Sequence, residues 1–248
     1  MKLLRGEGPL LRVGHRGAAA LAPENTLRSF EAALACGVDA IEFDVLDRGD
    51  GPLVLGHSLT ELGPEPATLD EALAFLARRD VVLHVDLKLT TRLDEVADAL
   101  ARHGLSERAV VSSFHLASLA AFAGRAPRIP IGFTYPEDRY GVSRRRVLQP
   151  AIRLGTVALR RALVARIPAM IERAGAAALM LHHAVVSAAA VERAHGAGAA
   201  VWAWTVDDPA ELGRLDAAGV DAVISNDPRL FAQGTESADA DPVPREDP

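Results

Sequence analysis

The chain has 248 residues, of which 49% are hydrophobic and 24% charged, and its formal net charge is -6 at pH 7. This composition supplies a large core and excludes a globally disordered chain, and the length suits one α/β barrel of about 250 residues. The negative charge argues against a nucleic-acid partner, which needs a clustered basic surface, and Cys36, the single cysteine, excludes an intrachain disulfide.

Hydrophobic periodicity and turn residues predict alternating strands and helices along almost the whole chain. In the first half, strands are predicted at residues 11–15, 40–45, 81–88, 109–114 and 129–135, with a short extended piece at 53–57. The first helix is predicted to start at a cap formed by Asn25 or Thr26 and to end at Cys36, before Gly37. Further helices are predicted at residues 69–78, 92–103 and 116–124.

The alternation loosens between residues 136 and 175, a basic, helix-rich stretch that is longer than one connection needs. A solvated helical pair is the favoured interpretation, and a lid or a flap that makes peripheral contact with a membrane is the alternative. Regular alternation then returns, with strands predicted at 177–183, 201–206 and 222–226 and helices at 187–197 and 209–218.

Eight strands with helices between them predict a closed (β/α)8 TIM barrel, a single α/β domain over residues 1–233. Residues 234–248 are acidic, contain proline and lack apolar periodicity, so we expect a disordered tail. Residues 1–8 lack the apolar run of a signal peptide, and no later run approaches the roughly 20 residues of a membrane span. We therefore expect a soluble, cytoplasmic protein.

Ionisable residues stand at the carboxyl ends of two predicted strands, where the chemistry of a barrel enzyme is expected. Glu42 and Asp44 are two residues apart and share one strand face, and Asp86 and Lys88 repeat this arrangement in the next barrel strand. Three carboxylates and one lysine leave a negative excess that is costly inside a barrel. Mg2+ or Ca2+, bound by these oxygens, would relieve it. A structural ion-pair cluster without a metal remains an equally consistent interpretation.

Two histidines occupy similar positions. His15, followed by Arg16, ends the first predicted strand, and His57 ends the short extended piece. Imidazoles beside a metal could act as general base and general acid, because their ordinary pKa lies near operating pH. Arg16 and Lys88 could bind phosphate oxygens. Either histidine alone is more typical of an ordinary surface or packed residue, and the two positions together favour catalysis.

Several segments resemble the glycerophosphodiester phosphodiesterase family, which shares the phosphatidylinositol-phospholipase-C-like phosphodiesterase barrel. The opening block matches in order and spacing at His15-Arg16-Gly17, Pro23-Glu24-Asn25-Thr26, residues 37–45, Asp50-Gly51 and His57. Later matches are Asp86-Leu87-Lys88, Ser113-Phe114, Trp204-Thr205-Val206 and residues 219–224. The resemblance covers residues 13–231.

The resemblance implies a metal-dependent (β/α)8 barrel that hydrolyses small-molecule glycerophosphodiesters to glycerol 3-phosphate and an alcohol. The residues that it implies are the acid/base pair His15 and His57, the metal ligands Glu42 and Asp44 with Glu24 in support, the phosphate ligands Arg16 and Lys88, and the pocket residues Phe114 and Trp204. It leaves open the alcohol headgroup, the metal and the oligomeric state.

The sequence departs from the family pattern at a few positions. Asp86 stands two residues before Lys88, where glutamate is usual, so this third metal ligand is expected to reach the metal through water. Ser58 replaces the usual aspartate, Asp207 stands where asparagine is common, and residues 225–228 differ from the usual threonine-aspartate ending. Two alternatives therefore remain: a barrel lyase that releases a cyclic phosphate, and a non-catalytic phosphate-binding module.

Overall fold

Strands alternate with helices in the computed structural model, which describes residues 2–136 and 149–233. The strands are β1 (Leu11–Gly14), β2 (Ala40–Leu46), β3 (Val54–Leu55), β4 (Val82–Leu87), β5 (Ala109–Ser113), β6 (Ile131–Tyr135), β7 (Ala178–His182), β8 (Ala200–Trp204) and β9 (Ala222–Ser225). All except β3 are parallel neighbours, and β1 pairs with both β9 and β2, which closes the ring. The predicted (β/α)8 barrel is confirmed. The short β3 pairs antiparallel with the end of β2.

Helices cover the outside of the barrel. They are α1 (Leu27–Ala35), α2 (Leu69–Leu76), α3 (Leu93–Arg102), α4 (Leu116–Arg125), α5 (Gln149–Ala174), α6 (Ala188–Gly196), α7 (Pro209–Ala217) and α8 (Leu230–Gln233). Thr26, and not Asn25, caps α1, since its side chain accepts a hydrogen bond from the backbone N–H of Ser29. Thr68 and Glu71 form a reciprocal capping box at α2. Local side-chain chemistry therefore sets both helix starts.

The basic stretch contains α5, a single helix of 26 residues. Leu163 and Ile167 are fully buried and anchor it to the barrel. Residues 137–148, with Arg144 to Arg146, and the tail at 234–248 lie outside the described residues. The disordered-tail prediction therefore falls outside them, and so does this part of the predictions for residues 136–175, a solvated helical pair or else a lid or flap. Within the described ranges, no helix combines the length and apolar character needed to cross a membrane.

The two faces of each strand carry different residue types. Outward-facing side chains such as Phe43, Val85 and Val223 are fully buried against the helices. Inward-facing side chains are apolar at the amino-terminal ends, where Val13 and Trp202 fill the barrel. Towards the carboxyl ends the inward-facing residues become polar and charged. The apolar lower layer therefore supports a charged cluster at the barrel mouth.

Candidate active site

The three carboxylates predicted to converge do so. Glu42 and Asp44 point into the barrel from β2, and Asp86 from β4, where the strand register places it directly beside Asp44. All three are buried, and each offers an oxygen within 4.8 Å of the others. This group is called the carboxylate cluster below. Its oxygens belong to two adjacent strands, so the barrel backbone holds the cluster together.

The charges of the cluster are only partly balanced. Burial and the neighbouring Asp44 and Asp86 charges raise the pKa of Glu42 well above its usual range. Burial alone would also raise the pKa of Asp44, but Lys88, His57 and Arg16 lower it well below its usual range. Lys88 Nζ lies 3.1 Å from Asp44 Oδ1, and Arg16 Nε lies 3.1 Å from Asp44 Oδ2.

Asp86 is held by two partners. One carboxylate oxygen accepts a hydrogen bond from the Ser112 hydroxyl of β5, and the other pairs with Lys88 Nζ. Beneath them, His84 Nε2 lies 2.8 Å from Ser112 Oγ. Burial opposes protonation of Lys88, yet the Asp86 and Asp44 carboxylates raise its pKa above the usual value. Lys88 therefore stays cationic beside the cluster.

Arg16 lies in a left-handed backbone conformation, with φ of 49°, directly after β1 and His15. Its backbone N–H donates to Glu42 Oε2 at 2.8 Å. Its guanidinium donates to both carboxylate oxygens of Glu24 at 2.8 Å. Glu24 therefore contacts Arg16 and is not a member of the carboxylate cluster. The Arg16 side chain is only 17% exposed, so its charge faces the site more than the solvent.

Asn25, which the sequence suggested only as a possible helix cap, clamps Asp44. Its side-chain N–H donates to Asp44 Oδ2, and its side-chain oxygen accepts from the Asp44 backbone N–H, both at 3.0 Å. Asn25 is buried and has φ of 57°. Asparagine tolerates this backbone region better than most residues. The signal that could have identified it is its place within the matched segment Pro23-Glu24-Asn25-Thr26.

The two predicted histidines flank the carboxylate cluster. His15 Nε2 lies 3.8 Å from Glu42 Oε2, and His57 Nδ1 lies 3.5 Å from Asp44 Oδ2 and 3.0 Å from Arg16 Nη2. Burial, followed by the Arg16 charge, lowers the pKa of His15 to about 4, so this imidazole is neutral at pH 7. The hydroxyl of Ser58, which follows His57 in the chain, forms hydrogen bonds with the side chains of Thr60 and Glu61.

Aromatic side chains stand beside the cluster. Phe114 follows β5 and Trp204 ends β8, with ring centroids 6.0 Å apart and nearly perpendicular planes. His182, which sequence reasoning missed, ends β7 with its ring 5.1 Å from that of Trp204. Lys88 Nζ lies 5.4 Å from the Phe114 ring centre. The structure therefore brings both predicted pocket aromatics to the barrel mouth.

The buried imidazole of His84 is expected to make the unfolding free energy of the protein depend on pH. Burial lowers the pKa of His84 from 6.5 to about 4, and its Nδ1 finds no hydrogen-bond partner among the described residues. His84 therefore binds a proton more tightly in the unfolded chain than in the folded protein. The part of the unfolding free energy that depends on neutral His84 is fully present above pH 6.5 and is lost as the pH falls. Between pH 7 and pH 5, His84 alone is expected to cost about 2 kcal/mol of unfolding free energy.

Urea unfolding of the EDTA-treated protein at both pH values measures this loss, with His84→Gln as the matched control. Glutamine can keep a donor towards Ser112 but does not titrate. The wild type is expected to lose more stability than His84→Gln over this interval. Equal losses in the two proteins would show that His84 is not the group responsible.

Comparisons with known proteins agree with this geometry. The family model "Glycerophosphoryl diester phosphodiesterase family" matches residues 15–73 and 74–230. A glycerophosphodiester phosphodiesterase of Caldanaerobacter subterraneus subsp. tengcongensis is 25% identical over 260 residues, covering 89% of this chain and 96% of the relative.

Two solved structures are similar in fold. A glycerophosphodiester phosphodiesterase from Parabacteroides distasonis superposes with a TM-score of 0.70 at 20% identity, covering 93% of this chain and 99% of that one. A phosphodiesterase from Oleispira antarctica, in complex with its product sn-glycerol-3-phosphate, gives a TM-score of 0.69 at 22% identity. That comparison covers 92% of this chain and 97% of the other.

Proposed function

The chain belongs to the glycerophosphoryl diester phosphodiesterase family, and we propose that it hydrolyses glycerophosphodiesters to glycerol 3-phosphate and an alcohol with the help of a divalent cation. One observation carries this proposal: the carboxylate cluster, flanked by His15 and His57, lies with Arg16 and Lys88 at the carboxyl end of the barrel. Barrel enzymes place their chemistry at this end. The product-bound Oleispira antarctica relative supports the same class of ligand.

The carboxylate cluster fits a hard divalent cation. Glu42, Asp44 and Asp86 offer only oxygen donors, which Mg2+ and Ca2+ prefer. The raised pKa of Glu42 reflects burial beside two other acidic groups, and a cation among them would favour its ionised form. When bound there, the cation would supply a Lewis acid that polarises a phosphoryl oxygen.

The two histidines are proposed to move the protons of the reaction. His15 is neutral at pH 7, because burial and Arg16 lower its pKa to about 4, and it would take a proton from the water that attacks phosphorus. His57, on the Asp44 side of the cluster, would donate a proton to the oxygen of the leaving alcohol. The phosphorus–oxygen bond to that alcohol breaks as the bond to water forms.

The remaining site residues are proposed to bind the substrate. Arg16 and Lys88 are mostly buried cations next to the cluster, and both would balance charge that develops on the phosphoryl oxygens. Phe114 and Trp204 would contact the apolar parts of the glycerol or alcohol group. Glu24, through its two hydrogen bonds, would keep the Arg16 guanidinium in place.

Asp86 is expected to contribute to metal affinity. Asp86→Ala removes one of three negative charges from the cluster and should weaken Mg2+ or Ca2+ binding at least about tenfold, because even groups that only support metal ligands have effects of this size. Asp86→Glu should retain or improve the affinity, since its longer side chain could reach the cation directly. Isothermal titration of the metal-free proteins measures both.

Asp47→Ala is the matched control for Asp86→Ala. Asp47 follows β2 and pairs with Arg92, away from the carboxylate cluster. Its removal should leave metal affinity unchanged. An Asp86→Ala protein with wild-type affinity would remove Asp86 from the proposed metal site.

Product analysis in 18O-labelled water tests the proposed reaction and its alternative. Direct hydrolysis places one solvent oxygen on the phosphate of glycerol 3-phosphate, and 31P NMR detects the label as well as the product. A cyclic phosphate without label would instead identify the barrel lyase, in which a substrate hydroxyl attacks phosphorus. Binding without turnover, with correct folding and added metal, would favour the non-catalytic phosphate-binding module.

A further inference from the structure

A chain of hydrogen bonds leads from His15 away from the carboxylate cluster. His15 Nδ1 lies 2.6 Å from the side-chain oxygen of Asn226, which follows β9. The side-chain nitrogen of Asn226 donates to Asp207 Oδ2 at 2.7 Å. Asp207 lies in the connection between β8 and α7. Three strand ends, β1, β8 and β9, are therefore linked through one amide side chain.

The orientation of that amide is set by Asp207. Asp207 Oδ1 accepts hydrogen bonds from the Asn226 backbone N–H at 2.8 Å and from the Ser225 hydroxyl at 3.1 Å. A carboxylate offers acceptors only, so the amide nitrogen of Asn226 must face Asp207 Oδ2. The reverse orientation would place two acceptor oxygens in contact. The amide oxygen of Asn226 therefore faces His15.

We infer that Asp207, acting through Asn226, fixes the tautomer of His15 that carries its hydrogen on Nδ1. The amide oxygen can only accept, so the bonded ring nitrogen must donate. The lone pair then resides on Nε2, which faces Glu42 and the carboxylate cluster. Asp207 and Asn226 are positioning residues. This inference rests on the proposed function, in which His15 acts as the general base.

Both positioning residues are among the sequence departures from the family pattern, and the structure places them in direct contact. Exchanging them preserves every one of these hydrogen bonds, although the donor and the acceptor between positions 207 and 226 change places. In the double variant Asp207→Asn/Asn226→Asp, the carboxylate at 226 would accept from His15 Nδ1–H and from the amide nitrogen at 207. The amide oxygen at 207 would still accept from the Ser225 hydroxyl and the backbone N–H of residue 226.

The single variant Asp207→Asn has the opposite effect. Its amide oxygen must still accept from the Ser225 hydroxyl and the backbone N–H, so its nitrogen turns towards residue 226. The Asn226 amide then rotates to accept from it and presents its own nitrogen to His15. This favours the His15 tautomer with hydrogen on Nε2, and the lone pair no longer faces the carboxylate cluster.

The experiment combines steady-state kinetics with 15N NMR of histidine-labelled, Mg2+-loaded protein, in which the His15 signals are assigned from a His15→Gln spectrum. In the wild type, His15 is expected to carry hydrogen on Nδ1. In Asp207→Asn, hydrogen should move to Nε2, and kcat should fall at least about tenfold with KM little changed, because general base catalysis contributes about 100- to 10,000-fold. The double exchange should restore both the tautomer and kcat.

Ser225→Ala is the control, since it removes the hydrogen bond to Asp207 Oδ1 and the contacts of the hydroxyl with the Asp227 backbone, but leaves the Asn226 amide bonded to Asp207 Oδ2. It should keep the wild-type tautomer and kcat. The inference is overturned if wild-type His15 carries hydrogen on Nε2, if folded Asp207→Asn keeps the wild-type tautomer, or if the folded double exchange does not regain it. A shifted tautomer with wild-type kcat in Asp207→Asn would instead refute the proposed role of His15 as general base.

If Asp207→Asn does not fold, the wild-type spectrum and the double exchange still test the inference about the His15 tautomer. An inactive wild type with hydrogen on Nδ1 would refute the proposed function and leave the tautomer inference standing.

Discussion

Replacing His15 or His57 by alanine is expected to lower kcat at least about a hundredfold, because general acid/base catalysis typically contributes about 100- to 10,000-fold. Each variant should keep the wild-type circular dichroism spectrum. Each should also bind the metal with wild-type affinity, since the proposed ligands are carboxylates. The measurement is kcat on a glycerophosphodiester at saturating substrate and metal.

The two histidines should behave as a pair. Removing both should cost little more than removing one, because groups that act together in proton transfer are not additive. His103→Ala is the matched control, since this imidazole pairs with Asp70 on the outer helices. Near-wild-type kcat in His15→Ala or His57→Ala would refute the acid/base roles and move the chemistry elsewhere in the barrel mouth.

The pH profile separates the two roles. A general base works when neutral, so wild-type activity should fall on the acid side as the pH drops towards the His15 pKa of about 4. His15→Ala should lack this acid limb. His57→Ala should keep this acid limb, because His57 is proposed as the general acid and not as the base. An acid limb that persists unchanged in His15→Ala would assign it to another group.

Chelation of the metal is expected to abolish activity, and added Mg2+ or Ca2+ should restore it. Without a cation, the buried acidic cluster would disfavour the approach of the anionic phosphodiester, and no Lewis acid would polarise the phosphoryl oxygen. Initial rates after EDTA treatment and dialysis, and then along a metal titration, measure this. Sodium chloride at matched ionic strength controls for screening.

The half-saturating metal concentration should rise in Glu42→Gln, which keeps the size of the side chain but removes its charge. Full activity in thoroughly chelated enzyme would contradict the metal requirement. In that case, the ion-pair cluster of carboxylates with Lys88 and Arg16 would be the better description of the barrel mouth.

The alternating pattern of the strands made the fold and much of the site predictable. Side chains two residues apart share a strand face, so Glu42 and Asp44 had to converge, and the same rule placed Asp86 with Lys88. Parallel strands then bring these ends to one edge of the barrel. The eight barrel strands found in the structure lie within about one or two residues of the predicted ones.

The contacts missed from sequence join residues that are distant along the chain or depend on unusual backbone conformations. Asn25 reaches Asp44 across 19 residues, and its positive φ follows from tertiary packing and not from local propensity. Asn226 reaches His15 across 211 residues, and only the closure of β1 against β9 brings them together. His182 belongs to none of the motifs recognised in the sequence. Only the structure, which places its ring beside that of Trp204, shows that it lies at the barrel mouth.

The supporting role implied for Glu24 stays a prediction, to which the structure adds a partner. The matched segment implied a role in support of the metal site, whereas the structure places its carboxylate on Arg16, with two hydrogen bonds of 2.8 Å. Any influence on the carboxylate cluster would therefore pass through the Arg16 guanidinium. A motif identifies which residues lie near a site, but side-chain partners depend on the loop conformation that the whole fold imposes.

The most direct test of the proposed function is the rate of glycerol 3-phosphate release from a glycerophosphodiester with saturating Mg2+ or Ca2+. The wild type is compared with Glu42→Gln/Asp44→Asn, prepared identically and shown to be folded. The proposed function requires release by the wild type and its loss in the double variant. No release by the folded wild type with Mg2+, Ca2+ or Mn2+, or equal rates in the two proteins, would contradict it.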